Sequence, residues 1–334
     1  IRINGKVHAV KYFIWENDVC YAKLSNGEIV SGCCDLRGIE PYYWYPQGFA
    51  LKYSDGTFFD KKRNYEFLAD FFTKRNLIAL SNIYHDILKY TRRNSRTRRA
   101  LLLVFLSILY QASKMAREKA GSWGINSYWV PKRHIEKDPY KLFANRVKRL
   151  ERTLLLVKKG IKGLNASDIV SAKTWVNGEH KVILINNDAI LTLRKMPTES
   201  VDYIVTDPPH ADEIQYLELS FFMNSWLVGF KCYKLFSKEI VVNSKQGKSL
   251  EKYIGMLKKV YEQCYRVLKR KGRIIVFYHE EREKTLSKMI NAIKEAGFKI
   301  RDELTSYSMK QRNIGDRDMI KGKKITIIIG QKPS

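Results

Sequence analysis

The chain of 334 residues carries 61 Lys and Arg against 34 Asp and Glu, a formal charge of +27, with 45% hydrophobic residues. That length holds one large or two ordinary domains with a full core, and the charge exceeds what solubility needs, favouring a polyanionic partner. Five cysteines without a Cys-x-x-Cys pair indicate neither a zinc site nor a disulfide framework, so no metal is expected, and they suit a reducing cytoplasm.

At the N-terminal end, Val19 to Leu24 and Glu28 to Val30 flank Ser25-Asn26-Gly27, a hairpin signal because Asn-Gly accepts the positive φ of tight turns. Pro41-Tyr42-Tyr43-Trp44-Tyr45-Pro46 follows, with aromatics suited to stacking on bases or, more simply, to filling a small core. From Leu77 to about Lys159 the apolar spacing is helical, with Asp138 as a cap and Pro139 in the first turn. The apolar run Leu101 to Tyr110 is too short to span a bilayer and reads as a buried helix. Arg92, Arg93, Arg96, Arg98 and Arg99 crowd into eight residues, where they repel one another unless phosphates or acidic groups neutralise them. Those five, with Lys132 and Arg133, are the candidate nucleic-acid contacts; an acidic protein would serve the arginines equally. Residues 1–170 are thus predicted as a hairpin plus helical region for nucleic-acid and partner contact.

Residues 171–334 alternate between apolar strands and helical spacing. Lys181 to Asn187 is an apolar strand ending in Asp188, which either caps the helix after it or meets a ligand. Val201 to Thr206 is predicted as a buried strand stopped by Pro208 and Pro209, which cannot donate to a ladder. Asp207 then sits at the carboxyl end of a parallel strand, where open α/β sheets place their ligand crevice. Ile254 to Leu268 is a helix closed by Lys269-Arg270-Lys271-Gly272, and Ile274 to Tyr278 is the next strand. Leu286 to Ala296 is a helix stopped by Gly297, and strands start at Phe298 and Lys324.

The prolines hold the acceptors around Asp207 and Pro208 in one direction. Such a pair suits the two N–H bonds of an exocyclic amino group, with the ring of His210 available to stack on the base. Asp207-Pro208-Pro209-His210 resembles the Asp-Pro-Pro-Tyr motif of S-adenosylmethionine-dependent amino methyltransferases acting on adenine N6 or cytosine N4, with histidine in place of tyrosine. The run from Asp207 to Phe222 with Trp226, Lys132 to Pro139, and Phe72 to Leu80 are similar to the large bacterial and archaeal adenine-specific DNA methylases. The resemblance implies a Rossmann-like methyltransferase sheet ending in an antiparallel hairpin, catalysis by Asp207, Pro208, Pro209 and His210, and contacts to S-adenosyl-L-methionine from Asn187, Asp188 and Asp207.

The same family carries a glycine-rich loop after its first strand, because the backbone must approach the donor closely. Of the 19 glycines, the nearest candidates, Gly121 to Gly124 and Gly160 to Gly163, follow no apolar strand. The first strands and that loop are therefore expected on another polypeptide or on a removed N-terminal segment, with the split enzyme preferred and this chain an obligate subunit of a hetero-oligomer. Three functions stay open: DNA amino methylation with a flipped base, adenine N6 before cytosine N4; amino methylation of tRNA or ribosomal RNA; and a non-catalytic nucleic-acid-binding subunit.

Overall fold

The computed structural model describes residues 2–3, 6–17, 19–31, 39–53, 55–59, 65–117, 128, 130–160, 169–170, 182–183, 185–227, 233–279, 282–307 and 324–334. In chain order the elements are β1 (Arg2–Ile3), β2 (Lys6–Val7), β3 (Val10–Glu16), β4 (Val19–Leu24), β5 (Ile29–Ser31), α1 (Lys74–Tyr90), α2 (Arg96–Ala112), β6 (Arg133–Glu136), α3 (Pro139–Gly160), β7 (Ile169–Val170), β8 (Val182–Ile183), α4 (Ala189–Lys195), β9 (Val201–Thr206), α5 (Tyr216–Asn224), α6 (Leu250–Val267), β10 (Leu268–His279), α7 (Glu283–Glu295), β11 (Lys299–Tyr307) and β12 (Lys324–Gln331). Two compact units result. One holds Ile1–Lys159 with Tyr216–Phe236, the other Gly160–Gln215 with Ser237–Arg312 and Asp316–Ser334. Among the described residues no helix is long and apolar enough to cross a membrane.

In the first unit an antiparallel sheet runs β5-β4-β3-β6. Its β4–β5 hairpin turns at Gly27, whose φ of 94° is open to glycine at no steric cost. Thr73 caps α1 by accepting the Asn76 N–H, and Ser95 caps α2 by accepting the Arg98 N–H. The α1 face of Leu80, Ile83, Tyr84 and Ile87 meets Phe105, Ile108 and Leu109 of α2 in one buried cluster. Phe221, Phe222 and Trp226 join that cluster, with Trp226 edge-on to Phe105 at 5.1 Å. The segment 216–236, placed with the C-terminal region by the sequence, therefore packs in the first unit. Cys20 is disulfide-bonded, against the expectation of free thiols; its partner lies outside the described residues.

Buried Glu136 of β6 ties this unit together: Arg75 of α1 donates to both carboxylate oxygens (2.7 and 2.9 Å) and Trp15 of β3 donates its indole N–H (2.7 Å). The Asn76 amide donates to the carbonyls of Ala112 and Lys137. The segments Phe72 to Leu80 and Lys132 to Pro139 thus bond to each other, and their polar residues hold helix against strand.

In the second unit the sheet order is β11-β12-β10-β9. β9 lies parallel to β10, with Ile204 opposite Ile274, while β12 is antiparallel to both β10 and β11. Tyr253, Leu257, Tyr261 and Cys264 of α6 and Met289, Ile290 and Ile293 of α7 pack on Ile274, Val276, Tyr278 and Ile328. Burial pushes the Cys264 thiol up to about 12. This is the expected Rossmann-like α/β sheet with its terminal antiparallel hairpin.

Two local expectations fail. The segment Lys269 to Gly272 does not close α6, which ends at Val267; it forms the irregular start of β10, where the pairing with β9 shifts register between Leu268 and Arg273. Nor is β9 buried on both faces: Tyr203 is 65% and Val205 66% exposed, because β9 forms the edge of the sheet. Ahead of it in the chain, β8 pairs parallel with β7.

Candidate active site

The ladder of β9 ends at Thr206, and Asp207 emerges exposed at the carboxyl end of a parallel strand. Pro208 is buried. The Pro209 carbonyl accepts the Tyr253 hydroxyl of α6, which lies 3.2 Å from the hydroxyl of Tyr278 on β10. The Pro208 carbonyl, by contrast, takes no hydrogen bond among the described residues, so one proline fixes the turn and the other leaves an acceptor open beside Asp207. Beyond the motif, the Ala211 carbonyl accepts the Val242 N–H at 3.0 Å, and Gln215 bonds both Val242 and Asn243.

His210 has a neighbour at each ring nitrogen. Its Nδ1 accepts the backbone N–H of His279 at 3.3 Å, which assigns the ring proton to Nε2, since a neutral imidazole carries one donor and one acceptor. Nε2 lies 3.3 Å from Asp207 Oδ1. The ring sits edge-on to Tyr278 at 5.4 Å and is only 16% exposed. Next to it, His279 Nδ1 lies 3.0 Å from Glu213, and Arg282 clasps Asp212 at 2.6 Å. An exposed carboxylate therefore stands at the end of β9 with an open carbonyl beside it.

Residues 201–333 match the N6/N4 DNA methylase family model. No curated protein matches the chain. Solved structures similar to it include a candidate DNA modification methylase of Thermus thermophilus complexed with S-adenosyl-L-methionine, at 16% identity and a TM-score of 0.28, covering 44% of this chain and 54% of that one. The PvuII cytosine-N4-specific DNA methyltransferase aligns at 14% identity and a TM-score of 0.30, over 45% of this chain and 50% of that one. The M1.HpyAVI–SAM complex aligns at 15% and 0.23, over 44% and 54%. The chain spans about half the length of these structures.

The segment matched by the family model begins at Val201, so the expected donor contacts Asn187 and Asp188 lie just ahead of it. Asp188 caps α4: its Oδ1 accepts the Leu191 N–H at 3.0 Å, and its own N–H is held by Asn187 Oδ1 at 2.9 Å. One Asp188 carboxylate oxygen remains beyond the cap, so capping and ligand contact are compatible. Of the two glycine segments, Gly121 to Gly124 lies outside the described residues, and Gly160 ends α3.

Among the basic candidates, Arg98 has a different job from the one expected. It donates to the carbonyls of Leu88 and Thr91 and, at 2.9 Å, to the Thr91 hydroxyl, bracing the α1–α2 corner. Arg92, Arg93, Arg96 and Arg99 are exposed on that corner. Arg133 faces Glu16 across the β3–β6 pair at 3.6 Å, and Lys132 is exposed beside it.

Sequence reasoning missed Tyr253, Tyr278, His279 and Glu213. The tyrosines fall at ordinary core positions of α6 and β10, and nothing in the spacing separates a hydroxyl that braces Pro209 from one that fills space.

Proposed function

We propose that the chain is the catalytic subunit of a split S-adenosylmethionine-dependent DNA methyltransferase, which methylates an exocyclic amino group of a flipped base, adenine N6 before cytosine N4. The observation that carries this reading is the pair of open acceptors at the end of β9: the exposed Asp207 carboxylate and the Pro208 carbonyl. They suit the two N–H bonds of a primary amine, which aims its lone pair away from both. Positioning then supplies most of the catalysis. The donor supplies an electrophilic methyl group; as the N–C bond forms and the S–C bond breaks, one N–H proton leaves the nitrogen, with Asp207 the adjacent acceptor. The prolines keep both acceptors in place, and the Tyr253 hydroxyl holds the turn by its bond to Pro209.

The residues present fit one part of the donor. Asp188, with an oxygen free beyond its cap, suits a hydroxyl or amino group, whereas the described residues offer no glycine-rich turn after a strand for the methionine end. Exposed Tyr203 and Val205 on edge strand β9 are the surface a complementing polypeptide would cover, since a parallel strand is normally sheltered on both faces. The test is methyl transfer from labelled donor to duplex DNA and to tRNA by the chain alone and with its co-purifying protein. Transfer to DNA only in the mixture supports the split; tight donor binding by the isolated chain sinks it, and preference for tRNA overturns the DNA assignment.

A second reading, a non-catalytic nucleic-acid-binding subunit, draws on one observation: the His210 ring nitrogen Nε2 stands 3.3 Å from Asp207 Oδ1, on the carboxylate an amine would have to reach. Methylation by the assembled complex that survives Asp207→Ala would favour it.

A further inference from the structure

The first unit contains a cleft of about 700 Å³ whose walls include Trp44, Phe49, Tyr84, His85, Leu88 and Ser225, and the chemistry above does not use it. Its rings are held rigidly from below. Trp44 leans on Tyr84 at 5.4 Å and meets buried Trp226 edge-on at 6.3 Å, yet it remains 49% exposed. Tyr43 stacks on His85 with centroids 3.6 Å apart and planes 9° from parallel, and Tyr42 beside it is 89% exposed. Aromatic surface fixed by a core and left open to water loses little entropy when a flat partner stacks on it.

The cleft adjoins a cationic corner. Leu88, in its wall, gives its carbonyl to Arg98, and the corner that Arg98 braces exposes Arg92, Arg93, Arg96 and Arg99. Among the described residues no carboxylate pairs with any of these four arginines. None of the residues lining the cleft is acidic, and Asp86 is hydrogen-bonded to the lining residue His85 at Nδ1, 3.2 Å away. Open rings beside unneutralised guanidinium groups complement a polyanion that carries flat apolar groups, which describes an unpaired nucleic-acid strand.

We infer that this cleft stacks an unpaired base of single-stranded DNA while the arginine corner takes the adjoining phosphates. The choice of DNA rests on the function proposed above. The test omits methyl donor, so its failure leaves that function standing. Labelled oligothymidylate of twelve nucleotides, an abasic strand of equal charge, a duplex of equal length and oligouridylate are titrated against the full chain. Oligothymidylate should bind at least about tenfold tighter than the abasic strand or the duplex, and Tyr42→Ala and Trp44→Ala should each weaken it by roughly five- to hundredfold. Replacing Arg92, Arg93, Arg96 and Arg99 with alanine should lower the salt slope by about 3. Tyr42 stands outside the core, so its variant reads stacking free of unfolding. Equal binding of the abasic strand, equal binding of the duplex or unchanged affinity in both aromatic variants would overturn the site; tighter binding of oligouridylate would overturn the choice of DNA.

Discussion

His210 Nε2 faces Asp207 Oδ1 at 3.3 Å, while its Nδ1 accepts the His279 N–H. His210 is therefore placed to orient the candidate catalytic carboxylate. His210→Phe should remove the ring nitrogen that faces Asp207 and strand the His279 N–H, a loss of about 1–3 kcal/mol of stability for an unpaired buried group. His210→Gln, which can return a side-chain N–H toward Asp207, should restore part of the turnover. In steady-state methyl transfer by the assembled enzyme the phenylalanine variant should lower kcat and leave the donor KM unchanged; equal activity of the two variants would show that the ring does not orient Asp207. His210→Tyr must fit a larger ring against Tyr278, so it should gain turnover only if that packing yields.

Asp207 itself is exposed, and among the described residues its side chain has one close polar neighbour, His210, so its removal should separate activity from folding. Asp207→Asn should lower methyl transfer on the order of 10²-fold, the scale at which loss of one preorganised electrostatic partner is felt. The melting temperature should move by no more than a degree or two, because the site lies outside the core. Parallel loss of activity and cooperative unfolding would assign Asp207 to structure instead.

The Arg75–Glu136 pair bridges residues 61 positions apart and leaves no trace in periodicity or composition. Glu136→Ala leaves a guanidinium and an indole N–H without their acceptor in a buried place, which should cost about 3–5 kcal/mol. Glu136→Gln keeps an acceptor oxygen and should cost less. Denaturant melts of the two variants decide the matter: equal midpoints would mean that Arg75 finds another partner.

What the sequence discloses about this molecule follows from how local each signal is. The Asn26-Gly27 turn, the helices that carry Ile254 and Leu286, and the stop at Pro208 rest on neighbours a few residues apart, and all were legible. The home of α5 was not, because Leu217, Leu219, Phe221 and Phe222 place apolar groups around the whole helix and name no single face. Edge position was equally hidden: Val201 to Thr206 reads as an interior strand whether or not a neighbour covers Tyr203 and Val205. Arg98 looked like its neighbours in the basic run, and only the folded corner shows that the Leu88 and Thr91 carbonyls claim it.

Glu251 provides the pH test. Its hydrogen bond from Lys288, at 2.7 Å, is the main reason its carboxyl is held down to about 2, with its place in the first turn of α6 assisting. A lowered folded-state value means that the ionised form is favoured on folding, so the stabilisation is fully present above the ordinary carboxylate range and fades as pH falls toward 2. The pair is solvent-exposed, so the effect on the whole molecule should be small and reduced by salt. Lys288→Ala should move the Glu251 carboxyl resonance back toward its ordinary titration range in an NMR pH series. An unmoved midpoint would assign the depression to the helix terminus instead.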